Sequence, residues 1–147
     1  MFTRIVVGTD GSDTAAEAVR QAIDLARLTG ATLSIVSAYA PVPKRRIQGE
    51  QEGAPPDIAY GIGPREDVNL VLDAAAAEAR AAGVDVRTHP VEADPADAIL
   101  NVAEEIKADL IVVGNKGMTG ARRYFLGSVP NNVSHHAPCS VLVVQTT

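Results

Sequence analysis

The chain has 147 residues, 46% of them hydrophobic, and a formal net charge of −5; this suits one domain able to bury about two-thirds of its unfolded surface. The acidic balance excludes a nucleic-acid partner, which would need a basic face against phosphates, and Lys44-Arg45-Arg46 is too short a run to supply one. With one cysteine (Cys139), no apolar stretch near the roughly 20 residues that span a bilayer, and no signal-like segment before the first strand, a cytoplasmic protein without membrane contact is expected.

Ile5 to Thr9 is a short β-branched run ending in Asp10-Gly11-Ser12, the pattern of a buried strand that leaves its sheet in a turn. Ser12 or Asp13 then caps a helix carrying Ala15, Val19, Ala22, Ile23 and Ala26 near 3.6-residue spacing, and Gly30 stops it. Thr32 to Ala38 is the second strand. Tyr39 to about Pro64 is a long irregular stretch rich in proline and glycine, of a length that compact domains reserve for mobile or functional loops. Glu66 to Ala82 is an alanine-rich helix ended by Gly83, and Val84 to Val91 alternates as a strand near a sheet edge. Asp94-Pro95 has the N-cap and N1 signature of a helix running to about Lys107. Asp109 to Gly114 is apolar on both faces, as a central parallel strand should be; Val129 to His136 is a helix and Ser140 to Gln145 the last strand. Alternating strands and helices predict an α/β fold over residues 1–147: one doubly wound domain, a five-stranded parallel sheet joined by right-handed crossovers, and helices on both faces.

The chemistry concentrates in Gly114-Asn115-Lys116-Gly117, which is followed, after residues 118–126, by Gly127-Ser128. Glycines let backbone N–H groups approach a ligand closely, and phosphate oxygens suit such amides, so the spacing points to a nucleotide. In an open parallel sheet, ligands bind beyond the carboxyl ends of the strands where strand order reverses. With an order of 3-2-1-4-5 the reversal falls between the first and fourth strands, bringing Thr9-Asp10 beside Gly114. Gly114 and Gly117 then turn the chain under a ribose and first phosphate. Gly127, Ser128 and Val129 open a helix whose N–H groups and dipole favour an anion. A side chain at Gly117 or Gly127 would block the backbone from phosphates or strain a left-handed conformation. Asp10 suits a base amino group, or the phosphates through a metal, unless it only shapes the start of the helix. Lys116, Arg122 and Arg123 are cations for the phosphates.

The Gly-x-x-Gly and Gly-Ser pattern, with Val6-Val7-Gly8-Thr9-Asp10-Gly11-Ser12 and the closing Val141-Leu142-Val143-Val144, resembles the universal stress protein family across nearly the whole chain. The resemblance implies the sheet order 3-2-1-4-5, a homodimer and, for the branch that keeps these glycines, binding of ATP, with Mg as a possible companion. It implies that Asp10 and the backbone at Ala38 contact adenine. Val113 and Gly114 would lie along base and ribose, while Gly117, Gly127, Ser128 and Val129 hold phosphates; Gly8 and Thr9 fit the same turn. The segment from Pro41 to Arg65 aligns with nothing in the family. Some small members are associated with cyclic AMP, which stands as the alternative ligand. The function implied is a stress-response sensor or regulator whose surface changes with the bound nucleotide, and no regulated partner is named by the sequence.

A slow ATPase is the competing class, but no general base is evident near the terminal phosphate. His135-His136 are expected at a surface or interface rather than on a metal, since adjacent helix residues point apart. Cys139 is expected as a small core residue, and Tyr39 either stacks on a base or covers the core. The strand Ser140 to Gln145, placed at a sheet edge without charge or proline, is where two copies would pair.

Overall fold

The computed structural model describes residues 1–39, 65–115 and 127–146. Its elements are β1 (Arg4–Gly8), α1 (Asp13–Thr29), β2 (Thr32–Tyr39), α2 (Arg65–Ala81), β3 (Val86–Glu92), α3 (Pro95–Ile106), β4 (Leu110–Gly114), α4 (Ser128–His136) and β5 (Ser140–Val144). All strand pairs are parallel, and the sheet runs β3-β2-β1-β4-β5, as the resemblance implied.

Successive side chains on a strand point to opposite faces, so a sheet covered on both sides needs strands that are apolar throughout. Ile5 and Val7 of β1, Leu33 and Ile35 of β2, and Leu110 and Val112 of β4 pack with α1 and α2. Val6, Val36, Ile111 and Val113 face the other way, onto α3 and α4. The helices meet the sheet largely through small side chains: Ala18, Ala22 and Ala26 of α1, Ala76 and Ala79 of α2, and Ala96, Ala98 and Ala103 of α3 are all buried. β3 is the outer strand beside β2 and is only half covered; it carries Pro90, a residue that edge strands tolerate because it lacks an N–H. On the same strand the Nε2 of His89 is buried without a hydrogen-bond partner. Burial holds the pKa of His89 below its ordinary value, with Glu105 acting against that shift and Arg87 with it.

Local signals end the helices where expected. Ser12 caps α1, its Oγ accepting the Ala15 N–H at 3.2 Å, and Gly30 closes the helix at φ 74°. Pro95 begins α3, although the N-cap Asp94 makes no side-chain hydrogen bond, and Lys107 ends that helix in a left-handed conformation at φ 56°. The starts of the two central strands are fastened to each other. The Asp109 carboxylate, just before β4, accepts the Thr3 N–H at 2.8 Å, the Thr3 hydroxyl at 2.9 Å and the Arg4 N–H at 3.1 Å. Desolvation works against the charged carboxylate, but these bonds outweigh it and hold the pKa of Asp109 below its ordinary 3.8.

A depressed carboxylate pKa contributes stability that is present above the unfolded value and lost as pH falls through the folded one. Asp109→Asn is therefore expected to cost about 1 kcal/mol at pH 7, lowering the melting midpoint by about 2–4 °C. The gap between variant and parent should close as the pH drops below 3.8. Thermal melts from pH 7 to pH 2.5 check this, and a gap that is constant with pH would show that the clasp does not depend on the ionised carboxylate.

Candidate functional site

The central strands β1 and β4 stay paired only as far as Val7 and Val112. Beyond that point β1 keeps to β2, through the Thr9 N–H to the Val36 carbonyl at 2.9 Å, while β4 keeps to β5, through the Asn115 N–H to the Val144 carbonyl at 2.9 Å. The two chains part, and a crevice opens between them at the carboxyl end of the sheet. Gly8, Val113 and Gly114 line it from β1 and β4, and Val36 and Ala38 from β2. Thr9, Asp10, Ser12, Thr14 and Ala15 come from the turn into α1, Pro95 and Ile99 from α3, and Val129 and Pro130 from α4.

The β1–α1 turn is held by its own side chains. The Thr9 hydroxyl accepts the Gly11 N–H at 3.2 Å and the Asp10 carboxylate accepts the Ser12 N–H at 2.9 Å. Gly11 sits at φ 82°, and a Cβ there would lie 2.9 Å from Cγ2 of Val71 on α2, so both backbone and packing demand glycine. Asp10 thus shapes the start of α1 while remaining exposed on the crevice, and the two roles left open for it coexist. The Ser12 and Thr14 hydroxyls, 3.1 Å apart, add further polar groups to the same wall.

The glycine array differs from expectation in its backbone. Gly114 has no positive φ; a Cβ on it would come within 3.1 Å of Cγ2 of Thr146 and 3.7 Å of Ala18 and of the Thr14 carbonyl, so its small size serves close packing. Gly127, the N-cap of α4, is at φ −61° and ψ 166°, an extended conformation open to any residue. The expected left-handed strain at Gly127 is therefore absent. What glycine does there is leave α4 without a side-chain cap. Pro130 in the first turn has no N–H to satisfy, and the Asn131 N–H reaches the Gly127 carbonyl at 3.0 Å. The N–H groups of Ser128 and Val129 are the first-turn donors open to an acceptor beyond the helix.

Seven residues anticipated from the sequence, Gly8, Thr9, Asp10, Ala38, Val113, Gly114 and Val129, line this one crevice. Gly127 and Ser128 stand next to Val129 at the start of α4. Lys116, Gly117, Arg122 and Arg123 lie outside the described residues, as does the proline-rich stretch after Tyr39. Sequence reasoning missed the contributions of Ser12, Thr14, Ala15, Val36, Pro95, Ile99 and Pro130. Val36 lies two residues before Ala38 and so shares its face, a signal that was available. Ile99 lies one turn beyond Pro95 and fills the space a Gly8 side chain would need, with Cδ1 at 2.5 Å from that Cβ position.

Other candidates stay apart from the crevice. Tyr39 packs against the core on the α1–α2 side, and Cys139 against the opposite core, where burial pushes its thiol pKa up. His135 and His136 are exposed at the end of α4. Among the described residues no group of three or more His, Cys, Asp or Glu could hold a metal ion, and no helix is long and apolar enough to cross a membrane.

Residues 1–145 match the Universal stress protein family. Universal stress protein Rv1636 of Mycobacterium tuberculosis is 40% identical over 147 residues, covering 99% of this chain and 98% of the relative. A universal stress protein solved in complex with cAMP superposes with a TM-score of 0.74 at 36% identity, covering 99% of this chain and 98% of that one. The universal stress protein from Archaeoglobus fulgidus solved in complex with dAMP gives 0.66 at 25% identity, over 97% and 98% of the two chains. A five-stranded sheet in the order β3-β2-β1-β4-β5, a crevice at its switch point and a match over residues 1–145 together mean that this chain belongs to the universal stress protein family.

Proposed function

We propose that the crevice binds an adenine nucleotide, ATP foremost, and that the protein acts as a stress-response sensor or regulator whose surface changes with the occupant. The observation that carries this reading is convergence. The Thr9-Asp10 turn, Gly114 and the uncapped start of α4, distant in sequence, meet around one cleft with apolar walls. Val36, Ile99, Val113 and Val129 suit the faces of a planar base, and Asp10 with the backbone at Ala38 suits the exocyclic amino group of adenine. The N–H groups of Ser128 and Val129, with the dipole of α4, suit phosphate. In the sequence, Gly117 and the three cations Lys116, Arg122 and Arg123 belong to the same glycine array, and a triphosphate offers those cations more charge to neutralise than cyclic AMP does. A Mg ion would arrive with those phosphates.

The relatives solved with cAMP and dAMP lend support to an adenine ligand, and the first of them makes cyclic AMP the second reading. Catalysis is not part of the proposal, because the carboxylate on the crevice, Asp10, is assigned to the base end and to the α1 turn. The working unit is a cytoplasmic homodimer paired through Ser140 to Gln145. β5 is an outer strand of the sheet, and Leu142 on it is 39% exposed.

Calorimetry on folded, nucleotide-free protein with ATP, ADP and cyclic AMP is expected to give a micromolar-range affinity, about −8 kcal/mol, for at least one. Gly127→Asp should abolish that binding without lowering the melting midpoint, since the backbone at 127 accepts any residue and the added carboxylate would occupy the first-turn N–H groups of α4 and repel phosphate. No heat with any of the three ligands would refute the nucleotide reading.

Phosphate release from ATP should stay well below the roughly 1 to 100 per second of dedicated phosphoryl-transfer enzymes. A fast turnover abolished by Asp10→Asn would instead make the protein an ATPase.

Light scattering at tens of micromolar should report a dimer, which Val143→Pro shifts toward monomer by removing a donor from β5. A monomeric parent protein would dismiss the assembly and leave the nucleotide reading in place.

A further inference from the structure

Register fixes which way the outer strand β3 turns its side chains. His89 stands beside Val36 and Val91 beside Ala38, and those two residues of β2 pack with α3, so Arg87, His89 and Val91 share the face that α3 covers. An imidazole fills that place poorly. Its Nε2 is buried without a hydrogen-bond partner, in the same layer as the apolar Val36, Ile99 and Val102, where a phenylalanine would leave no polar atom unsatisfied. A proton on the ring makes the fit worse. Among the described residues, β2 has no charged side chain, Arg87 on β3 repels an imidazolium, and Glu105 on α3 attracts it; Asp97 and Glu104, the other acidic residues of α3, are exposed. Glu105 is exposed as well, so a charged ring reaches it, or water, only by moving out from between strand and helix.

We infer that His89 is a proton-operated latch on α3: the neutral ring lets the helix seat on β3, and the protonated ring unseats the outer margin of that helix. The latch goes beyond the nucleotide reading, while its effect on a ligand rests on that reading. α3 supplies Pro95 and Ile99 to the crevice, and Ile99 reaches across to Gly8 of β1, so a slackened α3 loosens one wall of the crevice without changing any residue in it. Burial holds the pKa of the ring below 6.5, so the seated form excludes the proton and the form with the ring in water takes it up. Seating is therefore complete above pH 6.5 and is lost as the pH falls below it.

The test compares the parent with His89→Phe and His89→Gln, neither of which takes up a proton at this position, at pH 7.5 and pH 5.0. Hydrogen exchange of the α3 amides, corrected for the intrinsic effect of pH, should be alike in all three proteins at pH 7.5. At pH 5.0 the parent should exchange about fivefold faster in α3 than either variant, while α1, which packs on the other face of the sheet, stays protected. Calorimetry with whichever of ATP, ADP and cyclic AMP binds should show a loss of affinity from pH 7.5 to pH 5.0 that is about fivefold greater in the parent than in the variants. Titration of the ligand itself is common to all three proteins and cancels. His89→Gln carries the test if His89→Phe does not fold. Equal α3 exchange in parent and variants at pH 5.0, or equal loss of protection in α1 and α3, would overturn the latch. Faster α3 exchange with no extra loss of affinity would overturn its link to the crevice. A parent protein that binds none of the three nucleotides at pH 7.5 would overturn the nucleotide reading, and the exchange of α3 would still decide the latch.

Discussion

A strand in the middle of a parallel sheet must satisfy its hydrogen bonds on two sides, and where its two neighbours diverge it can follow only one. This constraint acts at Val7 and Val112, the last paired residues of β1 and β4. From there Thr9 bonds to Val36 and Asn115 to Val144, each chain keeping its outer partner and releasing the inner one. The crevice is the space left by that choice. The turn into α1 and the start of α4 lie on its rim because each directly continues or follows one of the parting strands, and α3 joins them as the crossover that brings the chain from β3 back to β4.

Much of this was legible in the sequence because its information is local. β-branched runs such as Ile5-Val6-Val7 and Leu110-Ile111-Val112-Val113 mark buried strands wherever they occur, and Ser12, Gly30 and Pro95 mark helix ends through their own backbone preferences. The boundaries moved by a residue or two: α4 begins at Ser128, and β3 at Val86 rather than Val84, where the chain is still leaving the turn at Gly83. Strand order was not local. No property of β4 alone says that it lies beside β1, and the order came from family resemblance. The contributions of Pro95 and Ile99 to the crevice depend on that order, and the pairing of Asn115 with Thr146 joins residues that share no periodic pattern.

The glycines of the site separate into two physical kinds. Gly8, Gly11 and Gly114 are small because neighbours occupy the space a side chain would take: Ile99, Val71 and Thr146 respectively. Their replacement would be felt by the fold before any ligand arrived. Gly127 is held in an ordinary extended conformation, so what its hydrogen atom preserves is access to the first turn of α4. Sequence spacing puts Gly114 and Gly127 in one motif. Backbone angles and neighbouring atoms distinguish those that build the crevice from the one that leaves it open.

The two outer strands of the sheet are unequal, and Pro90 makes them so. β5 offers a run of apolar residues with Leu142 exposed, whereas β3 carries Arg87, Pro90 and Glu92 and presents an interrupted ladder. A sheet whose two margins were equally receptive could add copies without end, each new edge recruiting the next, which is the geometry of a fibre. With one margin interrupted, a pair formed at the other would carry β3 on both of its outer edges and recruit no third copy. In such a pair the proline would act as a stop to polymerisation, a property of the population of molecules and not of any one of them.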